Sequence, residues 1–366
     1  MAASSSLPPT LALLLSNRTS VSTEARFPSL SFQFSFRPTS TRSRTLSPSS
    51  VPAAVAEVLE SEQPLGTMEY VAESVVAAPS PLNVEADADK LIFSGESSGF
   101  LKGPTTQISS SQIEVSSVSE QKVVIRNIYG ENLVGILHEA GSLELVILCH
   151  GFQSSKESKT LVNLADALVS ENISVFRFDF AGNGDSDGSF QYGNYRREVE
   201  DLRAVIQHFS GQKWKVHAIV GHSKGGNVVL LYASIFHDIS TVVNISCRFN
   251  LKRGINDRLG NDFMEKMKNN GYIDVMDKMG RFIYRVTQES LIDRLSTDMH
   301  AACLSIDKNC KVLTVHGSED DIVPPEDAFE FDKLIVNHKL HIIKGADHRF
   351  ISHQNDLARI LMEFIR

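Results

Sequence analysis

The stretch Ala218-Ile219-Val220-Gly221-His222-Ser223-Lys224-Gly225-Gly226 decides how the rest of the chain is read. An apolar run, Val216–Val220, leads into it, and residues with helical spacing, Asn227–Phe236, lead out. Ser223 therefore stands at a strand-to-helix turn, with glycine two residues before and two after it, the G-x-S-x-G elbow pattern. Small residues at Gly221 and Gly225 let strand and helix approach closely around a tight, strained turn. That turn holds a hydroxyl above the sheet at a helix N-terminus, where the dipole favours developing negative charge. His222 reads as an elbow spacer that packs structurally.

A serine alone is a poor nucleophile; it needs a base, and the base needs an orienting acid. With an elbow of this kind the acid and then the histidine follow in chain order. The apolar run Val312–His316 ends in Gly317-Ser318-Glu319-Asp320-Asp321-Ile322-Val323-Pro324, three candidate carboxylates just past a strand end. The next run, Lys339–Ile343, ends in Lys344-Gly345-Ala346-Asp347-His348, a histidine at the equivalent place one strand on. Ligands and reactive groups gather at that edge of open α/β sheets.

Further outward the pattern alternates. Lys122–Ile128 and Asn132–His138 read as an antiparallel hairpin across Tyr129-Gly130-Glu131. Strand-like Leu145–Cys149, Ile173–Phe178, Val216–Val220 and Val242–Ile245 alternate with helix-like Ser158–Glu171, Tyr195–Phe209 and Asn227–Phe236. Helices Glu326–Leu334 and Asn355–Ile365 follow the last two strands. The expected fold is α/β: a mostly parallel, doubly wound eight-stranded sheet covered on both faces. Between Cys247 and about Leu304 no strand is evident. Short helices bearing Phe263, Met264, Met267, Met276, Met279, Phe282 and Tyr284 are expected to form a small helical cap over about 248–304, after the sixth strand. Met and Phe at helical spacing read equally well as core.

From about Gln121 to Arg366 the chain resembles an α/β-hydrolase of the serine-hydrolase group, most of all the small esterases and acylglycerol-lipase-like enzymes with a "serine aminopeptidase S33" domain. His150-Gly151-Phe152 matches the family's H-G-x turn, and Asp179–Ser186 its D-x-x-G-x-G-x-S loop. Gly221–Gly225 matches the elbow, His316–Pro324 matches H-G-x-x-D-x-x-V-P, and Gly345–His348 matches G-x-x-H. The resemblance implies Ser223 as nucleophile, Asp320 as acid and His348 as base, with backbone N–H groups of Phe152 and Lys224 forming an oxyanion hole. Register to Val323-Pro324 selects Asp320 over Glu319 and Asp321; the alternative acid position, Ser246–Asn250, carries no carboxylate. No metal or diffusible cofactor is implied.

Other candidates have structural readings. His150 is expected to shape the oxyanion turn, and His338, His341 and His353 to be surface or satisfied polar groups. Cys149 and Cys247 lie near strand ends, as pocket lining or as inert small hydrophobes; none of the four cysteines forms a C-x-x-C pair, so neither a disulfide scaffold nor a zinc site is indicated. Lys224, where relatives carry a small or apolar residue, is open to three readings: a solvated lysine, a partner for an acid on the cap, or a charge favouring anionic substrates. Gly182–Gly188 carries an Asp185, Asp187 spacing without a following Gly-Lys-Ser/Thr or the downstream acid of a calcium loop, and reads as a structural turn.

Charge divides the chain. Residues 1–50 hold five Arg, no Lys, one acid (Glu24) and twenty Ser or Thr. That composition is expected to bury too little apolar surface to fold, and it resembles an organellar transit peptide, chloroplast first and mitochondrion second. Residues 51–100 hold nine acids against Lys90, and the stretch 51–119 reads as a linker. No apolar run approaches the roughly 20 residues of a membrane span, and no basic block marks a nucleic-acid surface. The expected activity is hydrolysis of a carboxylic ester of a small to medium, partly apolar substrate. A thioesterase or acyltransferase on the same residues, or a non-catalytic ligand-binding relative, remain open, as does oligomeric state.

Overall fold

The computed structural model describes residues 119–366. The expectations for a transit peptide at 1–50 and a linker beyond it lie outside the described residues. The first half contains strands β1 (Ser119–Arg126), β2 (Asn132–Glu139) and β3 (Glu144–Cys149), then helix α1 (Lys159–Ser170) and strand β4 (Ser174–Phe178). Helix α2 (Tyr195–Ser210), strand β5 (Lys215–His222), helix α3 (Lys224–Phe236) and strand β6 (Thr241–Ile245) follow. An insertion then carries helices α4 (Ile255–Leu259) and α5 (Phe263–Asn270), strands β7 (Tyr272–Met276) and β8 (Phe282–Thr287), and helix α6 (Gln288–Ser296). The chain returns through α7 (Met299–Ser305), β9 (Lys311–Gly317), α8 (Glu326–Leu334), β10 (His338–Ile343) and α9 (Gln354–Ile365).

Eight strands form one sheet in the order β1-β2-β4-β3-β5-β6-β9-β10. β2 runs antiparallel to β1 and β4, and the remaining neighbours are parallel. Alternate side chains of the central strands feed two cores. Leu145, Ile147 and Cys149 join the cluster under α2 and α3, while Val146 and Leu148 join the one under α1 and α9. Such strands carry apolar residues at every position because both faces are covered. α1 starts where the Ser158 hydroxyl accepts from the Leu161 N–H at 3.4 Å, and it buries Leu161, Leu164, Ala165 and Leu168 on one stripe.

Register lines up the carboxyl ends of the parallel strands. Cys149 pairs with Gly221, His222 with Ile245, Ile245 with Val315, and Gly317 with Ile343. Residues just beyond those ends, some distant in sequence, thus share one rim.

The insertion departs from the expectation of helices alone: β7 and β8 form an antiparallel hairpin. Its physical basis is local. Asp277 Oδ1 accepts the N–H groups of Met279 and Arg281, and Gly280 supplies the positive φ of 75° that closes the turn. Asp274 and Arg285, paired across the strands, form two hydrogen bonds of 2.7 and 2.9 Å. Phe263, Met267 and Tyr284 do pack into a core of the insertion, but Met276, Met279 and Phe282 are exposed. α7 belongs to the main layer instead, with Met299, Ala302 and Cys303 in the core beneath α3.

Candidate active site

Ser223 joins β5 to α3 with φ 55° and ψ −121°, a backbone conformation that L-residues avoid and that strained functional turns retain. Close crossing enforces it. A Cβ at Gly221 would lie 2.1 Å from the Gly225 carbonyl oxygen, and one at Gly225 would lie 2.5 Å from those of Cys149 and His150. The Ser223 N–H donates to the Ile245 carbonyl at 2.7 Å, fixing the turn against β6.

The distant partners meet there. Ser223 Oγ lies 3.0 Å from His348 Nε2, and His348 Nδ1 lies 2.7 Å from Asp320 Oδ2. Asp320 Oδ1 accepts the N–H groups of Ile322 and Val323 at 2.9 and 2.8 Å. His316 Nε2 stands 3.2 Å from Asp320 Oδ2 and 3.0 Å from the Val323 carbonyl. Burial pushes the Asp320 carboxyl up, but hydrogen bonds from His316 and His348, with the His348 charge, outweigh it and hold the group well below the usual carboxylate range. An ionised Asp320 keeps the proton of His348 on Nδ1 and leaves Nε2 free to accept the Ser223 proton.

His150 does shape the neighbouring turn: Nδ1 donates to the Gly151 carbonyl at 2.8 Å and Nε2 accepts the Phe180 N–H at 3.1 Å. Burial pushes His150 down to about 4, which suits that neutral tautomer. Gly151 passes so near the serine that its Cβ would sit 3.0 Å from Ser223 Cβ, which brings Phe152 beside the hydroxyl. Lys224 opens α3, so its N–H has no intrahelical acceptor. Phe152, Lys224 and Ser223 line one cavity of about 70 Å³, with Tyr195, Ile322 and Val323 among its walls. Tyr284 of β8 packs edge-on against Phe152, with centroids 5.7 Å apart, so the insertion braces this turn. His222 is structural: Nε2 donates to the His348 carbonyl at 2.8 Å, and burial pushes it down to about 4.

Other positions fall outside the site. His338 is held by Asp332 and Thr314, and the Asp347 carboxylate accepts the Ile351 N–H. Cys149 and Cys247 are buried away from the cavity walls, and burial pushes both thiols well up, as inert small hydrophobes. The Gly182–Gly188 loop is a turn pinned by buried Lys156, whose Nζ lies 2.7 Å from Asp179 and 2.9 Å from Asp185.

Sequence reasoning missed several groups. Lys224 is neither solvated nor paired with the insertion: at 6% exposed it lies 2.6 Å from Glu198 of α2, itself 4% exposed. Burial pushes the Glu198 carboxyl up to about 7, with Lys224 opposing. The walls near Ser223 also include Arg248, Arg258 and Arg294. A lone arginine in sequence reads as a solvated surface group, so no signal marked them. His316 was legible as motif, but not its contact with Asp320.

Asp201 offers a pH test. It accepts from Asn127 Nδ2 at 2.8 Å and from the Ala181 N–H at 2.9 Å, and burial pushes its carboxyl up to about 6. The folded chain therefore binds this proton before the unfolded chain does, and stability from this group rises as pH falls from about 6 towards 4. Relative to Asp201→Asn, the wild type should gain about 2–3 kcal/mol between pH 7 and 4, read by urea unfolding. A gain of opposite sign would contradict the assignment.

A sheet in this strand order, with a Ser–His–Asp array at the rim of its parallel strands, defines an α/β hydrolase. The family model described as "Serine aminopeptidase, S33" (Hydrolase_4) matches residues 142–355, and the chain belongs to that family of hydrolases. Among curated proteins it is 26% identical over 236 residues to the uncharacterized protein YDL057W of Saccharomyces cerevisiae, covering 58% of this chain and 70% of that one. It is 23% identical over 278 residues to a 2-hydroxy-6-oxo-6-(2'-aminophenyl)hexa-2,4-dienoic acid hydrolase of Metapseudomonas resinovorans, covering 69% and 94%. Among solved structures, Est1E of Butyrivibrio proteoclasticus bound to ferulic acid superposes with TM-score 0.58 at 24% identity, covering 66% of this chain and 97% of that one. The Pyrococcus furiosus esterase Pf2001 gives 0.52 at 21% identity, covering 68% and 90%. These two likenesses concern the fold.

Proposed function

We propose that the protein is a serine hydrolase that cleaves carboxylic esters through an acyl-enzyme. One observation carries this reading: the Ser223 hydroxyl lies 3.0 Å from an imidazole whose other nitrogen lies 2.7 Å from a buried carboxylate. His348 takes the Ser223 proton as Oγ attacks the acyl carbon, then returns it to the departing alcohol oxygen. Water, deprotonated by the same nitrogen, attacks the acyl-enzyme and releases the acid, regenerating Ser223. Backbone N–H groups of Phe152 and Lys224 receive the oxyanion, a role worth about 10²–10³ in rate per donor. Phe152, Tyr195, Ile322 and Val323 support a partly apolar substrate, and the small cavity favours one of modest size.

Purified full-length protein should react with a fluorophosphonate probe and hydrolyse p-nitrophenyl acetate and butyrate. Failure of both probe labelling and turnover would sink the proposal. Faster cleavage of amino-acid p-nitroanilides than of the esters would replace it with a peptidase.

A further inference from the structure

Three guanidinium groups share the cavity of Ser223: Arg248, in the loop just past β6, Arg258 on α4 and Arg294 on α6. Among the described residues none of the three has an ion-pair partner within 4.0 Å. Four nearby carboxylates already hold other partners. Asp327 is held by Arg253 at 3.2 Å and the Phe249 N–H at 2.8 Å, Asp293 by Arg196 at 3.3 Å and the Tyr195 N–H at 2.6 Å. Glu198 pairs with Lys224, and Asp320 with His348.

The arginines are held by neutral groups instead. Arg248 donates to the Ile322 carbonyl. Arg294 donates to the Tyr195 hydroxyl and the Arg253 carbonyl, each at 3.3 Å, and its Nε is buried without a partner. Arg258 lies over the Phe152 ring, 4.4 Å from the centroid. Burial, and then the nearby charge of Arg294, lower the Arg248 pKa against the opposing charges of Asp327 and Asp320, so the two arginines repel one another. Gathering three cations in a half-closed space whose nearby carboxylates already hold other partners is unfavourable unless an anion completes it. Guanidinium forks match a planar carboxylate with paired, charge-assisted hydrogen bonds.

Resting on the ester-hydrolase reading, we propose that the substrate carries a free carboxylate a few bonds from its scissile ester, seated between Arg248, Arg258 and Arg294. Carboxylate and ester share one small cavity, so a half-ester of a short dicarboxylic acid fits the arrangement.

The test compares kcat/KM for monomethyl glutarate, methyl hexanoate and methyl 4-phosphonobutanoate by pH-stat. Binding of glutarate to the Ser223→Ala protein is measured alongside by calorimetry. The half-ester is expected to exceed the neutral ester by at least about tenfold, and Arg294→Gln should cut that ratio about tenfold, whatever the absolute rate. Arg258→Gln, at an exposed side chain, serves if Arg294→Gln fails to fold. Glutarate should bind Ser223→Ala and lose about tenfold in affinity when Arg294→Gln or Arg258→Gln is added. A ratio at or below one, or one that neither arginine variant changes, overturns the carboxylate site while leaving the hydrolase reading intact. Preference for the phosphonate over the half-ester by tenfold overturns the carboxylate assignment. Arginine-dependent glutarate binding with no turnover of any ester supports the anion site and counts against the hydrolase reading alone.

Discussion

Ser223→Ala is expected to lower turnover of p-nitrophenyl butyrate by about 10⁶-fold and to abolish fluorophosphonate labelling. The argument is geometric. Ser223 Oγ is the group that the imidazole of His348 faces, at 3.0 Å, and the turn that presents it is clamped by glycines whose Cβ atoms would overlap backbone. Alanine accepts the same strained backbone no worse than serine does, so the folded structure should survive and the loss should be one of chemistry. His348→Ala should lose nearly as much, and the double variant scarcely more than either single one, because both residues act in the same proton transfer. The values of kcat for the three variants, with matched thermal midpoints, check this. A Ser223→Ala protein that kept a hundredth of the activity would place the nucleophile elsewhere.

The largest stability effect is expected beneath the site. Lys224→Met leaves Glu198 buried without its partner and should cost about 3–5 kcal/mol at pH 8, whereas Lys224→Met combined with Glu198→Leu should recover most of it. Removing one charge strands the other away from water; removing both leaves an apolar contact of similar volume. The sign with pH follows from burial, which pushes Glu198 up to about 7 even with Lys224 present. A carboxyl raised in the folded state adds stability below that pKa and loses it as pH climbs from 4.5 through 7. Lys224→Met should therefore be milder at pH 5 than at pH 8. Equal urea midpoints for wild type and Lys224→Met at pH 8 would show that the pair contributes nothing.

What could be read without coordinates was local or periodic. Apolar strands buried on both faces announce themselves as runs, and an elbow needs glycines because backbone meets backbone within a few residues of Ser223. Asp320 and His348 were legible because each follows a strand end, and parallel register brings strand ends together whatever lies between. The hairpin at Tyr272–Thr287 was locally encoded too, by an Asp277–Gly280 turn and alternating burial of Tyr284 and Val286. Met and Phe at apparent helical spacing masked it.

Side-chain partnerships across elements were different. Nothing in the order of residues says that Lys224 on one helix faces Glu198 on another, or that arginines at 248, 258 and 294 converge on the serine. A charged residue in a chain looks the same whether water or a buried carboxylate will surround it. Backbone pattern depends on neighbours along the chain and so is written there; the pairing and burial of charge depend on which faces pack, and only the folded arrangement decides that.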